Sequence, residues 1–227
     1  MMEIQLKVQK PLKDLVYLEL KHKILTGEIV SQTRLMEIDL SEKMNVSRTP
    51  IREAIKRLAD DGLVKVEPRR GAYVANISIK DMLDVFEVRE DLEGFVAKLA
   101  AERITEDEKE ELKNISAEYE AALNQGNKER IIELDEKFHN FIVSCSGNET
   151  LSELVNYVQE LSLRFRYLYY NDFSLYESTA EQHNRIMDAI NNGRAEEARF
   201  EADAHVKALK EFVFELGKKM EEMGETE

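Results

Sequence analysis

The chain has 227 residues, no tryptophan, a single cysteine and a formal net charge of −14, from 32 Lys and Arg against 46 Asp and Glu. The lone Cys145 excludes an intramolecular disulfide and fits a reducing compartment. No stretch approaches the ~20 apolar residues that cross a bilayer, so a cytoplasmic protein with no membrane partner is expected. The negative total would argue against nucleic acid, but it is unevenly spread. Residues 1–76 carry 14 Lys and Arg against 11 Asp and Glu, whereas residues 77–227 carry 18 against 35. Such an asymmetry describes two modules, of which only the first suits phosphate.

Residues 1–10 are polar and unpatterned and are expected to fray. From Pro11, the residues Leu12, Leu15, Val16, Leu20 and Ile24 recur at helical spacing and predict a first helix ending near Gly27. His22 falls off that stripe and reads as a solvated surface residue. Leu35 to Met44 is predicted as a second helix, with Leu35, Ile38, Leu40 and Met44 inward, and a turn through Asn45 leads to a third. In the third, Ser47 stands at the cap and Pro50 in the first turn, where a missing N–H is no loss. Ile51, Ala54, Ile55 and Leu58 form its buried side. Its other side offers Arg48, Thr49, Arg52 and Lys56, and with Ser47 these groups suit guanine edges and phosphates in a major groove.

Gly62 stops that helix, and Leu63, Val64, Val66, Tyr73 and Val74 flank the turn Pro68-Arg69-Arg70-Gly71, a signal for a two-stranded hairpin. Gly71 is suited to a positive φ and to close approach of another backbone. Alone, two arginines on a turn read as a solvated cationic hairpin. Beside a helix of this kind they read as a wing, with Arg69 and Arg70 against the sugar–phosphate backbone or in the minor groove.

The run NVSRTPIREAIKRLADDGLVKVEPRRGAYVA resembles the winged helix-turn-helix of the GntR family of bacterial transcriptional regulators. The resemblance is carried by Val46-Ser47-Arg48-Thr49-Pro50, Arg52-Glu53-Ala54, Leu58, Gly62-Leu63 and Gly71. It implies that Arg48 and Arg52 contact bases of double-stranded operator DNA, that the wing glycine approaches the duplex, and that the protein is a homodimer. Two-fold symmetry then predicts a palindromic operator. Asn45 stands where the family commonly has glycine, and Asn tolerates the left-handed angles of such a turn.

Ser78 with Asp81 makes a capping-box-like start after a short connection through Ile77, and it sets the predicted boundary between domains 1–76 and 77–227. A helix from about 79 to 103 is expected to bury Met82, Val85, Phe86, Val96, Leu99 and Ala100. Arg89 lies in the same stripe, and a buried arginine either bridges an internal carboxylate or waits for an anionic ligand. The words VFEVREDLEGFVAKLAAERI resemble the opening helix of the effector domain in the FadR branch of GntR regulators, in which this arginine often lines the ligand cavity.

Further helices are predicted at about 106–124 behind a Thr105 cap, then 128–145, 151–172, 176–191 and 194–222. No strand pattern follows the wing, so the chain reads as mainly α: a winged helix-turn-helix followed by an all-α bundle of six or seven helices.

Asp135 and His139, four apart, share the apolar face of Ile131, Phe138 and Ile142. His183 lies in the stripe Ala180, Ile186, Met187 and Ile190, and His205 in the stripe Ala198, Ala202, Leu209 and Phe212. Any one such histidine would be structural, but three with an inward carboxylate suit a divalent transition metal: zinc, nickel, manganese or iron. The pattern is similar to the metal-binding FCD subgroup, where an Asp-x3-His pair and two later histidines bind the ion. That resemblance implies a small organic carboxylate as effector, with Arg89 at its second oxygen. Arg164, Tyr167, Tyr169 and Tyr170 are assigned packing and surface roles. Two rivals stand beside the ligand-responsive regulator: a metal-dependent enzyme, and a regulator whose metal is purely structural.

Overall fold

A computed structural model of the chain describes residues 11–76, 78–169 and 176–222, apart from the side chains at 160, 163–169, 176, 177, 216 and 220–222. The chain divides into two compact units, Met1–Asn76 and Ile77–Glu227. Among the described residues there are nine α-helices and three strands, and the protein is mainly α as expected.

The first unit contains α1 (Leu12–Leu25), β1 (Arg34–Leu35), α2 (Glu37–Lys43), α3 (Arg48–Asp60), β2 (Val64–Glu67) and β3 (Gly71–Val74). Ile51, Ala54, Ile55 and Leu58 of α3 are buried, as their spacing predicts, and α1 packs against them with Val16, Leu20 and Ile24. The register of α1 differs from the expected stripe. Leu12 and Leu15 are about half exposed, whereas Tyr17 and Leu25 are buried. Tyr17 earns its place with a polar handle, since its hydroxyl donates to Asp61 Oδ2 at 2.6 Å while Arg57 lies 3.8 Å over its ring.

The second helix also differs. Leu35 belongs to a strand, not to the helix, and α2 begins at Glu37 with Ile38 exposed and Leu40 and Met44 half-buried. The two-residue strand pairs with the hairpin, Arg34 opposite Tyr73 and Leu35 opposite Ala72, so the expected two-stranded ribbon is a three-stranded sheet in the order β1-β3-β2. A strand this short has no periodicity to read.

In the second unit α4 (Ile79–Arg103), α5 (Glu106–Gln125), α6 (Lys128–Cys145), α7 (Glu149–Tyr169), α8 (Tyr176–Asn191) and α9 (Ala195–Glu222) form the helical bundle, six helices among the described residues. The predicted end of the fourth of these at Asp172 lies outside the described residues, as does Ile77 of the connection. Ser78 caps α4 reciprocally with Asp81, and Thr105 caps α5 with Glu108 in the same way. The core runs through Val96, Leu112, Phe138, Ile142, Val155, Ile186 and Ala198. Val85 is only half-buried; Ala97 and Ala101 of the same helix are buried instead. Helices α4 and α9 pack along one another, and their approach explains a glycine inside a helix. A Cβ on Gly94 would lie 1.7 Å from Asp203 Oδ1, so only glycine leaves room for that carboxylate.

Candidate functional site

In the first unit the helix-turn-helix places a row of exposed donors along α3. Ser47 occupies the N-cap position in extended conformation, but its side chain makes no capping bond, contrary to the expectation that it caps. Its hydroxyl, together with Arg48, Thr49, Arg52 and Lys56, is exposed. Asn45 adopts φ 51° in the turn before α3, which bears out its left-handed role. Arg52 is held by α2: its Nε and Nη2 donate to the two carboxylate oxygens of Glu37 at 2.9 and 2.7 Å. The guanidinium keeps the Glu37 carboxyl below its ordinary range, chiefly through these bonds. Sequence reasoning missed Glu37, although an acid on α2 facing an arginine fork was the available signal.

The wing turns through Pro68-Arg69-Arg70, with Arg70 N–H donating to Glu67 O at 3.1 Å. Pro68 sits where a type II turn wants proline, but Arg69 takes the left-handed position at φ 65°, where glycine is favoured. An arginine kept at a strained wing tip is the kind of outlier that points to a working side chain. Gly71 follows at φ 113°, and a Cβ there would come within 3.2 Å of Arg34 Nε, so β1 brings another guanidinium to the wing. Arg34 was not singled out from sequence.

In the second unit, α6, α8 and α9 bring His139, His183 and His205 together. All three are buried, with ligand-capable atoms within 4.8 Å of one another and ring centroids 5.0–5.2 Å apart. Asp135 Oδ1 lies 3.6 Å from His183 Nε2 and 3.8 Å from His139 Nε2. The four residues predicted as a set from their helical stripes therefore share one place in the fold. Phe138 stacks on His183 at 4.3 Å and holds that ring in the core.

His205 Nδ1 lies 2.8 Å from Gln182 Oε1. With the proton on Nδ1 donating to that oxygen, the lone pair is left on Nε2, which is buried without a hydrogen-bond partner among the described residues. Burial first, then the neighbouring His183 and His139, hold the His205 pKa well below the ordinary range, so its imidazole is neutral. A neutral imidazole with an orphaned buried lone pair, beside two more imidazoles and a carboxylate, fits a divalent transition metal. Gln182, like Glu37 and Arg34, was not found from sequence.

Arg89 sits at the edge of this cluster. It is 2% exposed, and its Nε donates to Glu93 Oε1 at 2.7 Å while Nη1 donates to Ser162 Oγ at 3.3 Å. The other oxygen, Glu93 Oε2, lies 3.4 Å from His139 Nδ1. Of the two readings left open by the sequence, an internal bridge is present; Glu93, four residues on and on the same face, was the legible signal. The side chains of Arg164, Tyr167, Tyr169 and Tyr170 lie outside the described residues.

Residues 12–74 match the family model described as bacterial regulatory proteins, gntR family, and residues 84–208 match the FCD domain. The chain belongs to the GntR family. It is 32% identical over 190 residues to the uncharacterized HTH-type transcriptional regulator YdhC of Bacillus subtilis (strain 168), covering 83% of this chain and 85% of that protein. To the HTH-type transcriptional repressor RspR of Escherichia coli (strain K12) it is 28% identical over 214 residues, 94% of each chain. The solved structure of E. coli McbR/YncC superposes with a TM-score of 0.78 at 21% identity, over 92% of this chain and 99% of that one, which shows the fold. This GntR regulator is thus a DNA-binding transcriptional regulator with an FCD effector-binding domain, and its relatives are regulators, not enzymes. None of the helices searched among the described residues is long and apolar enough to cross a membrane.

Proposed function

We propose that this GntR regulator, of the FadR branch, senses a small carboxylic acid at a divalent metal in its FCD domain and binds a palindromic operator as a homodimer. The observation that supports it most is the convergence of three buried imidazoles within 4.8 Å, with the Asp135 carboxylate beside two of them. Asp135, His139, His183 and His205 would hold zinc, nickel, manganese or iron, and the bound ion would supply a Lewis-acid site for one oxygen of the acid. Arg89 orients the second oxygen with its planar fork. The buried shell of Phe138, Ile142 and Ile186 excludes water and strengthens both contacts.

At the DNA, Arg48 and Arg52 read base edges, Ser47, Thr49 and Lys56 hold phosphates, and Arg69, Arg70 and Gly71 of the wing fit against the backbone or the minor groove. Acid binding shifts the bundle helices, and through the connection at 76–78 it changes the spacing of the two reading heads. The acid acts by differential affinity for the two arrangements.

The test is elemental analysis of the purified protein, followed by calorimetric titration of short carboxylic acids into metal-loaded and chelated samples. Stoichiometric metal, with acid binding that vanishes on chelation, is the expected result. Metal without acid binding would leave the ion a structural role, and no metal in any preparation would sink the sensing half of the proposal.

A further inference from the structure

The proposed acid site contains a carboxylate of its own, and its position suggests what an incoming acid must overcome. We infer that Glu93 is a resident competitor for Arg89, which the effector displaces, and that it thereby sets the acid concentration to which the regulator responds. The inference rests on the metal-and-acid reading above.

Both members of the pair are buried, Arg89 at 2% and Glu93 at 6% exposure, one helical turn apart on α4. A guanidinium taken out of water cannot stand unpaired, so the acid-free protein needs an anion at this point. Glu93 supplies it through the 2.7 Å contact to Nε, and its second oxygen reaches toward His139, 3.4 Å away. It therefore touches both groups that recognition of an acid would use, the guanidinium and an imidazole of the cluster. An effector carboxylate has the same charge and the same fork-matching geometry, and it can replace Glu93 on Arg89 without changing the pairing that the interior demands.

Exchange requires that the released carboxylate find another donor, and an independent observation provides one. A cavity of about 20 Å³ lies against the site, with Glu93, His139 and Gln159 among its polar lining and Val96, Ile142 and Val143 among its apolar lining. Gln159 on α7 is 6% exposed, and its Nε2 is buried without a hydrogen-bond partner among the described residues. A buried amide donor left unmatched beside a cavity is costly unless something occupies it part of the time. The volume is enough for about one water-sized group, such as the tip of a carboxylate. Glu93 thus has two stations on this geometry: Arg89 when no acid is present, and Gln159 Nε2 when the acid holds Arg89.

The experiment uses the full-length protein loaded with zinc and titrated calorimetrically with acetate, with zinc affinity measured in parallel by chelator competition. Glu93→Gln removes the competing charge, and Glu93→Asp keeps the charge but shortens its reach by one methylene. Both variants are expected to bind acetate at least tenfold more tightly than the wild type, with zinc affinity unchanged. Gln159→Leu is expected to weaken acetate several-fold in the wild type and to have no effect in the Glu93→Gln background, because no released carboxylate then needs the amide.

Unchanged acetate affinity in both Glu93 variants would overturn the inference. So would a gain in Glu93→Gln alone, which would mean simple repulsion, or a loss of zinc affinity in both variants, which would make Glu93 a support of the metal site, as a ligand or through His139. If Glu93→Gln fails to fold by circular dichroism, Glu93→Asp and Gln159→Leu still decide the matter. Wild-type protein that binds no zinc, or that binds acetate equally after chelation, would bring down the underlying metal-and-acid reading and the inference with it.

Discussion

The two units of this regulator each hold an arginine paired with a glutamate, and the surroundings set the two pairs apart. Arg52 on α3 grips both oxygens of Glu37, yet its side chain is 68% exposed. Arg89 meets Glu93 at the same 2.7 Å, with the two side chains 3% and 6% exposed. In water an ion pair is screened and loosely held, so Arg52 can leave Glu37 at little cost. In the interior neither charge can be released without a substitute partner, an anion for the guanidinium and a donor for the carboxylate. On the reading proposed above, one pair positions a side chain and the other makes its release conditional on a ligand.

The sharpest way to break this contrast is Arg89→Met, which leaves Glu93 buried and unpaired. Truncating one partner of a buried pair costs about 3–5 kcal/mol, and the loss should appear in urea unfolding of the full chain. Adding Glu93→Leu should recover most of it. If Arg89→Met alone unfolds no more readily than a surface variant, the pair is not the buried, interdependent unit described here.

Metal removal comes next in size. A ligand present at a thousand times its Kd stabilises the folded state by about 4 kcal/mol. Chelation should therefore lower the melting temperature of the wild type, while His183→Ala, lacking one of the three imidazoles, should melt at the same temperature with and without chelator. Equal sensitivity in both proteins would mean that the ion binds elsewhere.

At the DNA surface the effects should be smaller and should separate by role. Arg48→Ala is expected to weaken operator binding by about 1–3 kcal/mol and to relax base preference, whereas Arg69→Ala should weaken all sequences alike and reduce the salt slope by about one. Fluorescence anisotropy against selected and random duplexes across a salt series distinguishes them. Identical specificity ratios for the two variants would remove the distinction between base reading and backbone contact.

Much of this was legible because helices write their burial at a fixed period. Asp135, His139, His183 and His205 each fall on an apolar stripe, so four inward polar groups on three helices could be read as convergent before any fold was known. The caps at Ser78 and Thr105 were equally plain. What escaped were interactions set by tertiary context. β1 is two residues long and exists because β3 offers it an edge, so Leu35 reads locally as the start of a helix. Leu12 and Leu15 are apolar yet half exposed, while Tyr17 goes inward because Asp61, 44 positions away, accepts its hydroxyl. Gln182 matters only through His205 on another helix, and no spacing marks an uncharged amide as part of a site. Glu93 was different, since its four-residue offset from Arg89 was visible; what was missing was a reason to prefer an internal carboxylate over a bound one.

The smallest effect tests the exposed member of the comparison. The Arg52 bonds depress the Glu37 carboxyl, against the opposing effect of its slight burial, and Coulombic attraction to Arg52 and Arg48 adds to the depression. A carboxyl whose folded pKa lies below its unfolded value stabilises the protein above the ordinary carboxylate range, and that contribution is lost as pH falls through the folded value. The wild type should therefore melt slightly above Glu37→Gln at neutral pH, and the gap should close below about pH 4, the ordinary range for a glutamate. High salt should narrow the same gap, because the pair is exposed within a Debye length of bulk ions. The loss from Arg89→Met should persist in that salt, since a buried pair is screened much less than an exposed one. A salt response of equal size at both sites would mean that the two pairs do not differ in the way their burial implies.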